Sequence, residues 1–259
     1  MWPYPKIVAH RGAGTLAPEN TLAAMRYARK HGFRGVEFDV MLARDGVPVL
    51  MHDAQFGRTI AGTGRVNEHT AAQLQKMDAG AWFSPHFAGE PVPGFEEIAN
   101  FCRASDIWMN VEIKPAPGFE AATGEAVARH AARIFAAELQ TAPTARSAAR
   151  LPLLSSFSID ALLAARAAAP TMPRALLVDT LPADWQARCE EVGAGALHLN
   201  QKTLTAGVAR AVTQAGVGLF CYTVNDPARA RALLSWGVDG FCTDRLDLIG
   251  PDFASIPAR

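Results

Sequence analysis

Short apolar runs alternate along the chain with alanine-rich segments whose apolar residues recur at helical spacing. The runs are apolar at most positions, which is typical of strands buried inside a parallel sheet. Eight such strands are predicted, at 6–10, 35–40, 107–113, 151–156, 174–178, 195–199, 217–223 and 239–243. Helices are predicted after most of them, at 20–31, 94–104, 119–139, 159–168, 183–192, 204–215 and 226–236.

Several helix boundaries carry their own sequence signals. Asn20 is a residue type that caps helix N-termini, Gly32 and Gly193 follow predicted helix ends, and Asp226-Pro227 opens the last helix. Eight βα units in 259 residues predict an α/β fold of the (β/α)8 TIM-barrel type, which takes about 250 residues. A doubly wound open sheet is the alternative, because eight strands do not by themselves prove closure.

One stretch interrupts the alternation, between the second and third strands. Residues 43–93 begin with the turn signal Asp45-Gly46 and continue with scattered glycines, aromatics and prolines. We therefore predict a single domain over 1–259, with 43–93 as a hairpin plus an insertion subdomain over the barrel mouth. A second irregular stretch, 141–150, is polar and alanine-rich and predicts an exposed connector.

Composition narrows the possible partners. The 25 basic and 25 acidic residues cancel, so nothing in the charge balance supports nucleic acid or an anionic membrane as the main partner. We find no signal peptide at the N-terminus and no apolar run of about 18 residues that could span a bilayer. The four cysteines are widely separated, which favours reduced thiols and a cytoplasmic location.

Ionisable residues gather where the first predicted strands end. His10 and Arg11 follow the first apolar run, and His52 follows the run at 47–51. Glu37 and Asp39 are spaced by one residue, so their carboxylates lie on one face of the second strand. This inventory suits metal-assisted phosphoester chemistry.

The third predicted strand adds a further alternating pair, Glu112 and Lys114. Three carboxylates on adjacent strands, from Glu37, Asp39 and Glu112, would form an all-oxygen site for Mg²⁺ or Ca²⁺. Arg11 and Lys114 would hold phosphate oxygens. Each motif alone has a structural explanation, as a polar strand face or a strand-end charge. Their coincidence at three strand ends favours a functional site.

The Asp45-Gly46 turn predicts how His52 reaches this site. A two-residue hairpin would pair Arg44 with Val47 and would set Asp39 directly opposite His52, about 5 Å away. A slip of one residue would point His52 to the opposite face of the sheet.

With these residues identified, the chain resembles the glycerophosphodiester phosphodiesterase family, related to phosphatidylinositol-specific phospholipase C, over nearly its whole length. The resemblance is carried by an ordered set of motifs: His10-Arg11-Gly12, Pro18-Glu19-Asn20-Thr21, Glu37-Phe38-Asp39-Val40, Asp45-Gly46, His52-Asp53, Arg58-Thr59, Asp78-Ala79-Gly80-Ala81-Trp82-Phe83, Glu112-Ile113-Lys114, Ser155-Ser156-Phe157, Tyr222-Thr223-Val224-Asn225 and Gly237-Val238-Asp239-Gly240-Phe241-Cys242-Thr243-Asp244.

The resemblance implies a role for each matching residue. His10 and His52 would be the acid–base pair, with His52 as the acid and His10 as the base. The metal ligands would be Glu37, Asp39 and Glu112, and the phosphate contacts Arg11 and Lys114. Tyr222 stands where the family often has Trp, so it would bind substrate as an aromatic wall of altered shape. Phe157 is either a second wall or a core residue.

The implied reaction is metal-dependent hydrolysis of a small glycerophosphodiester to sn-glycerol 3-phosphate and an alcohol, with one divalent cation, Mg²⁺ or Ca²⁺. A lysophospholipase D-like activity is an alternative, if Trp82, Phe83 and Phe87 form an apolar entrance rather than a small core of the insertion. A non-catalytic glycerophosphodiester-binding barrel is a second alternative, against which the two histidines and three acids argue. A Schiff-base enzyme is a weaker rival, because Lys114 beside three acids should stay protonated.

Overall fold

Eight parallel strands close into a barrel in the computed structural model, which describes residues 2–140 and 149–255. The strands are β1 (Ile7–Ala9), β2 (Gly35–Leu42), β4 (Trp108–Ile113), β5 (Leu153–Ser156), β6 (Arg174–Val178), β7 (Ala196–Asn200), β8 (Gly218–Tyr222) and β9 (Gly240–Thr243). Because β1 pairs in parallel with both β2 and β9, the sheet has no open edge along the barrel. The predicted (β/α)8 barrel is confirmed, and the open-sheet alternative is wrong.

Helices cover the outside of the barrel, apart from one short helix in the insertion at 43–93. They are α1 (Leu22–Lys30), α2 (Ala71–Leu74), α3 (Phe95–Ala104), α4 (Glu120–Ile134), α5 (Ala136–Gln140), α6 (Ile159–Ala168), α7 (Trp185–Val192), α8 (Ala206–Gln214) and α9 (Pro227–Ser235). Each of the seven predicted helices is present, although the one predicted at 119–139 is divided into α4 and α5. No described helix is long and apolar enough to cross a membrane.

The first helix begins one residue later than Asn20 suggested. Thr21 is the N-cap, and its side chain accepts a hydrogen bond from the backbone N–H of Ala24. Asn20 instead adopts a left-handed backbone conformation with φ 57° and turns its amide towards the barrel. The prediction of Asn20 as the cap is wrong. At the other end of the chain Asp226 caps α9 and Pro227 occupies its first turn, as predicted.

The hairpin that follows β2 has a three-residue loop. The pairs between β2 and β3 (Pro48–Leu50) include Val40 with Leu50 and Leu42 with Pro48. The extra loop residue is accommodated by Gly46 at φ 76°, the left-handed position that three-residue hairpins use. The predicted pairings of Arg44 with Val47 and of Asp39 with His52 are therefore wrong, because the register is displaced by one residue.

The insertion at 43–93, together with Met41 at the end of β2, forms a cluster of buried apolar side chains that is separate from the main core between barrel and helices. The cluster comprises Met41, Ala43, Val49, Met51, Ile60, Val66, Ala71, Leu74, Ala79 and Val92. Two short 3₁₀ helices, Val66–Glu68 and Pro85–Phe87, lie in this stretch, and a third, Phe253–Ser255, lies near the C-terminus. The connector predicted at 141–150 lies outside the described residues except for its last two. All four cysteines are buried free thiols, as predicted.

Aromatic residues close the bottom of the barrel. Trp2 stacks on Phe220, and Tyr4 stacks on Trp108 with ring centroids 4.5 Å apart. Since this end is filled, the carboxyl ends of the strands are left as the open face, where barrel enzymes carry their active sites.

Candidate active site

Three carboxylates meet at the carboxyl ends of β2 and β4. The strand register sets Asp39 beside Glu112, and Glu37 lies one pleat away on the same face of β2. One ligand atom from each of these three residues lies within 4.8 Å of the others. All three side chains are buried, and Asp39 is only 1% exposed. The predicted convergence of these three acids is confirmed.

The cluster carries more negative charge than its surroundings neutralise. Burial and the charge of Asp39 raise the pKa of Glu37 to about 8, and the same two causes raise the pKa of Glu112 to about 7. The pKa of Asp39 is shifted in the other direction. Burial alone would raise it, but the charges of Lys114 and Arg11 hold it below the usual range. Oxygen-only donors with unneutralised charge fit a hard divalent cation, so these residues could hold Mg²⁺ or Ca²⁺.

Two basic side chains border the cluster. Lys114 places its Nζ 3.0 Å from Glu112 Oε1 and 3.4 Å from Asp39 Oδ1. Arg11 places its Nε 3.4 Å from Asp39 Oδ2, and its backbone N–H donates to Glu37 Oε2 at 3.0 Å. Arg11 adopts φ 50°, a conformation that aims this backbone donor at the carboxylate. The side chains of Lys114 and Arg11 therefore lie where they could bind an anionic group next to the cluster.

His10 follows β1 and is held on one side by a carboxylate. Its Nδ1 lies 2.5 Å from Asp244 Oδ1, while its Nε2 lies 3.7 Å from Glu37 Oε2. Asn225 donates to the other oxygen of Asp244 at 2.9 Å and fixes that side chain in turn. Burial lowers the pKa of His10, but the hydrogen bond that its Nδ1–H donates to Asp244 and the charge of Glu37 outweigh it, so the pKa lies above its ordinary value.

His52 is held in the same way from the opposite side. Its Nδ1 lies 2.6 Å from Asp53 Oδ1, and Arg58 donates to the second oxygen of Asp53 at 2.6 Å. Although the hairpin register is displaced, His52 is near enough to Asp39 and Lys114 for both charges to affect it. The backbone N–H of Met51 still donates to the Asp39 carbonyl, so His52 is the first residue beyond the ladder and its direction is not set by the strand pleat. Burial lowers the pKa of His52 below its ordinary value.

An aromatic corner stands beside the carboxylates. Tyr222 at the end of β8 donates from its hydroxyl to the Val178 carbonyl at 2.9 Å and to Asp179 Oδ1 at 3.1 Å. Phe157 packs edge-to-face on Tyr222 with ring centroids 5.8 Å apart and remains 45% exposed. Phe157 is therefore part of the open surface, and the core alternative is wrong.

Four supporting residues received no role in the site from the sequence analysis. Asn20 donates to Asp39 Oδ2 at 2.9 Å and accepts from the Asp39 backbone N–H at 3.1 Å, so it clamps that carboxylate. Glu19 accepts hydrogen bonds from both Arg11 and Arg58. Asp53 and Asp244 orient the two histidines. Asp244 could have been found, since it follows β9 as His10 follows β1, whereas Asn20 and Glu19 act through contacts that no local pattern reveals.

Comparison with known proteins agrees with this geometry. Residues 10–248 match the profile of the glycerophosphoryl diester phosphodiesterase family. The chain is 30% identical to a glycerophosphodiester phosphodiesterase of Bacillus subtilis, over 93% of this chain and 84% of that one. It is also 30% identical to a glycerophosphodiester phosphodiesterase of Caldanaerobacter subterraneus, over 92% and 93% of the two chains.

A solved structure is similar over the same extent. The phosphodiesterase of Oleispira antarctica, in complex with the product sn-glycerol-3-phosphate, is 33% identical with a TM-score of 0.82, over 93% of each chain. The match of family profile, sequence and fold extends over nearly the whole chain. The chain therefore belongs to the glycerophosphoryl diester phosphodiesterase family and is an enzyme of that class.

Proposed function

We propose that the enzyme hydrolyses glycerophosphodiesters to sn-glycerol 3-phosphate and an alcohol by metal-dependent histidine acid–base catalysis. One observation carries the proposal: two histidines, each anchored at Nδ1 by a carboxylate, flank a buried three-carboxylate cluster. The complex of the Oleispira antarctica phosphodiesterase with sn-glycerol-3-phosphate supports this choice of product.

The proposed metal ligands are Glu37, Asp39 and Glu112, which would hold one Mg²⁺ or Ca²⁺. When bound, a divalent cation at this position supplies charge neutralisation at phosphate oxygens and lowers the pKa of a hydroxyl that reaches it. Arg11 and Lys114 would bind the nonbridging phosphate oxygens, Arg11 through its planar fork and Lys114 as a point charge. Tyr222 would bound the pocket for the substrate.

The proposed first step is internal transfer. His10 removes the proton from the glycerol 2-hydroxyl as that oxygen attacks phosphorus, and His52 protonates the departing alkoxide. The products of this step are a five-membered cyclic phosphate and the free alcohol. Water then opens the ring with the two histidines in reversed roles, which yields sn-glycerol 3-phosphate. Direct attack of water on phosphorus is the competing route.

The two anchoring carboxylates make these roles possible. Each accepts the Nδ1 proton of its histidine, so that Nε2 is the atom left to exchange protons with substrate. The charge of Glu37 that raises the pKa of His10 would be neutralised by a cation on the cluster, which favours the neutral imidazole that a base requires. We therefore propose His10 as the base. His52 is proposed as the acid from the family resemblance alone, since burial lowers its pKa.

A lysophospholipase D-like activity is a second candidate. Trp82 remains 42% exposed, and the guanidinium of Arg58, which anchors Asp53, lies 6.0 Å from the centre of its ring. This exposed aromatic surface on the insertion would be available to an acyl chain. We also propose that residues 1–259 act as one catalytic domain, with the insertion at 43–93 bordering the site. The proposed location is the cytoplasm, where the four free thiols would stay reduced.

Release of glycerol 3-phosphate from glycerophosphocholine tests the proposal. We expect release with Mg²⁺ or Ca²⁺, none after chelation, and a loss of at least about a hundredfold in His10→Asn and His52→Asn. His130→Asn is the matched control, because this half-buried histidine lies on α4, near Arg133 and away from the carboxylates. Turnover that survives chelation, or both histidine substitutions, would contradict the proposal. Inactivity on glycerophosphocholine with activity on lysophosphatidylcholine would favour the second candidate.

A further inference from the structure

A cavity of about 500 Å³ opens from the carboxylate cluster towards the loops that follow β4 and β5. Glu112 and Lys114 form its inner end, and Glu120, Phe157 and Asp160 line its outer part. The inner end belongs to the proposed phosphate site. The outer part is therefore in position to receive one of the two groups esterified to the phosphate.

The helices that carry the two outer acids approach each other closely. Gly124 of α4 packs on the backbone of α6, where a Cβ would lie 2.0 Å from the carbonyl oxygen of Ala161. Glu120 lies one turn before Gly124, and Asp160 directly precedes Ala161, so both carboxylates are brought to the mouth of the same cavity. Their place in the first turn stabilises each helix. The two carboxylates also offset the positive potential that the N-termini of α4 and α6 would otherwise direct at the cavity.

The charges of this cavity are unbalanced. Among the described residues, neither Glu120 nor Asp160 forms an ion pair, and Glu120 accepts only the backbone N–H of Gly118 at 3.1 Å. The ammonium of Lys114 is already paired with Glu112 and Asp39. The outer part of the cavity is therefore anionic.

The wall of the cavity is aromatic on the same side. Phe157 is 45% exposed and is held edge-to-face by Tyr222, whose hydroxyl is fixed by Val178 and Asp179. An open aromatic ring next to carboxylates is the combination that binds alkylammonium groups, through cation–π attraction and charge. The carboxylate that lines the cavity on the other side of Lys114, Asp53, is already paired with His52 and Arg58, so it offers no free counter-charge.

We propose that this cavity is the subsite for the alcohol half of the substrate and selects alcohols that carry an ammonium group, of the choline or ethanolamine type. Phe157 supplies the aromatic surface and Glu120 with Asp160 the counter-charge. The inference rests on the proposed function and extends it to the class of alcohol.

Two diesters that differ in the charge of the alcohol test the proposal. Glycerophosphocholine and glycerophosphoglycerol share the phosphate and one glycerol, so changes in the phosphate site affect both. For the Glu120→Gln, Asp160→Asn double variant we expect kcat/KM to fall about tenfold for glycerophosphocholine and to change less than about twofold for glycerophosphoglycerol. Glu125→Gln is the matched control, since Glu125 lies on the same helix and pairs with Arg129 at the surface.

Two further measurements separate charge from the aromatic ring. Phe157→Leu keeps apolar bulk, and we expect it to lower kcat/KM for the choline diester but not for the glycerol diester. Choline should inhibit the wild type more strongly than its uncharged analogue 3,3-dimethyl-1-butanol, and the double variant should remove that difference. Equal losses on both diesters, or no loss on either, would overturn the subsite. A wild type that hydrolyses neither diester would overturn the proposed function, and this inference with it.

Discussion

Both histidines of the site depend on a carboxylate for their orientation. Asp244 fixes His10 and Asp53 fixes His52, each through Nδ1, so that each ring has a fixed orientation and its Nε2 is left to exchange protons. An amide at either carboxylate position could accept the same hydrogen bond but could not stabilise the imidazolium that forms during proton transfer.

Asp244→Asn tests this arrangement. We expect kcat to fall by about a hundredfold or more with little change in KM, because the base loses its counter-charge while the phosphate contacts remain. Steady-state kinetics on glycerophosphocholine give both constants. Asp247→Asn removes a carboxylate three residues away that pairs with Arg245 at the surface, and it should leave both unchanged. Loss confined to KM would show that Asp244 acts in binding instead.

Asn20 orients Asp39, one of the proposed metal ligands. Its amide forms hydrogen bonds with both the carboxylate and the backbone N–H of Asp39, and hydrogen bonds that orient a metal ligand in this way contribute about 10- to 100-fold to metal affinity. For Asn20→Ala we expect the Mg²⁺ concentration for half-maximal activity to rise at least about tenfold, with activity recovered at high Mg²⁺. Asn100→Ala, at an exposed position on α3, is the control. An unchanged Mg²⁺ requirement would contradict the role.

At the scale of elements, the loop after β1 must pass very close to the end of β9. A Cβ on Gly14 would lie 2.2 Å from the backbone oxygen of Asp244, and Gly14 has φ +55°. This contact holds the two strand ends that carry His10 and Asp244 together. The glycine is therefore required for space as well as for its backbone conformation.

Two glycine substitutions separate these requirements. Gly89 also has a positive φ, but nothing lies within 4 Å of a Cβ built there. We expect Gly89→Ala to lower the free energy of unfolding by about 1 kcal/mol, from the backbone conformation alone. Gly14→Ala should cost about 1–3 kcal/mol more through overpacking and should also reduce turnover. Urea unfolding measures both, and equal losses would contradict the packing argument.

The strands and helices could be predicted from the sequence more fully than the contacts between them. The eight strands and their helices could be predicted because strands buried in a parallel sheet are apolar at most positions, and the ends of these apolar runs also mark the strand ends where His10 and Glu112 lie. The hairpin register could not, because Asp45-Gly46 fits both loops: Gly46 is left-handed in either, and they differ in the conformation of Asp45, which here has a negative φ. The role of Asn20 depends on Asp39, 19 residues away, and is decided by tertiary contact.

At the scale of the whole molecule, the carboxylate cluster links stability to pH and metal. The pKa of Glu37 is raised to about 8 and that of Glu112 to about 7, chiefly by burial, so in the metal-free protein the folded state holds protons that the unfolded state has released. Stability that these groups contribute is present below their unfolded pKa of about 4.3 and is lost as pH rises through 7 and 8.

We therefore expect the melting temperature of chelated protein to fall between pH 6.5 and 8. Saturating Mg²⁺ or Ca²⁺ should raise the melting temperature most at pH 8, because a cation replaces the protons as the neutralising charge. Thermal unfolding at the two pH values, with chelator and with metal, measures the effect. Glu112→Gln should flatten the pH dependence of the chelated protein. A melting temperature of the chelated wild type that rises over this interval would contradict the account.

The central claim is that the site breaks the bond between phosphorus and the alcohol and leaves phosphate on glycerol. Phosphorus NMR of a reaction with glycerophosphocholine and Mg²⁺ or Ca²⁺ tests this most directly, since each phosphorus product has its own resonance. We predict that the diester signal is replaced by sn-glycerol 3-phosphate, with cyclic phosphate visible early if internal transfer operates, and that chelation stops the conversion. Accumulation of phosphocholine, or an unchanged diester signal with metal present, would contradict the claim.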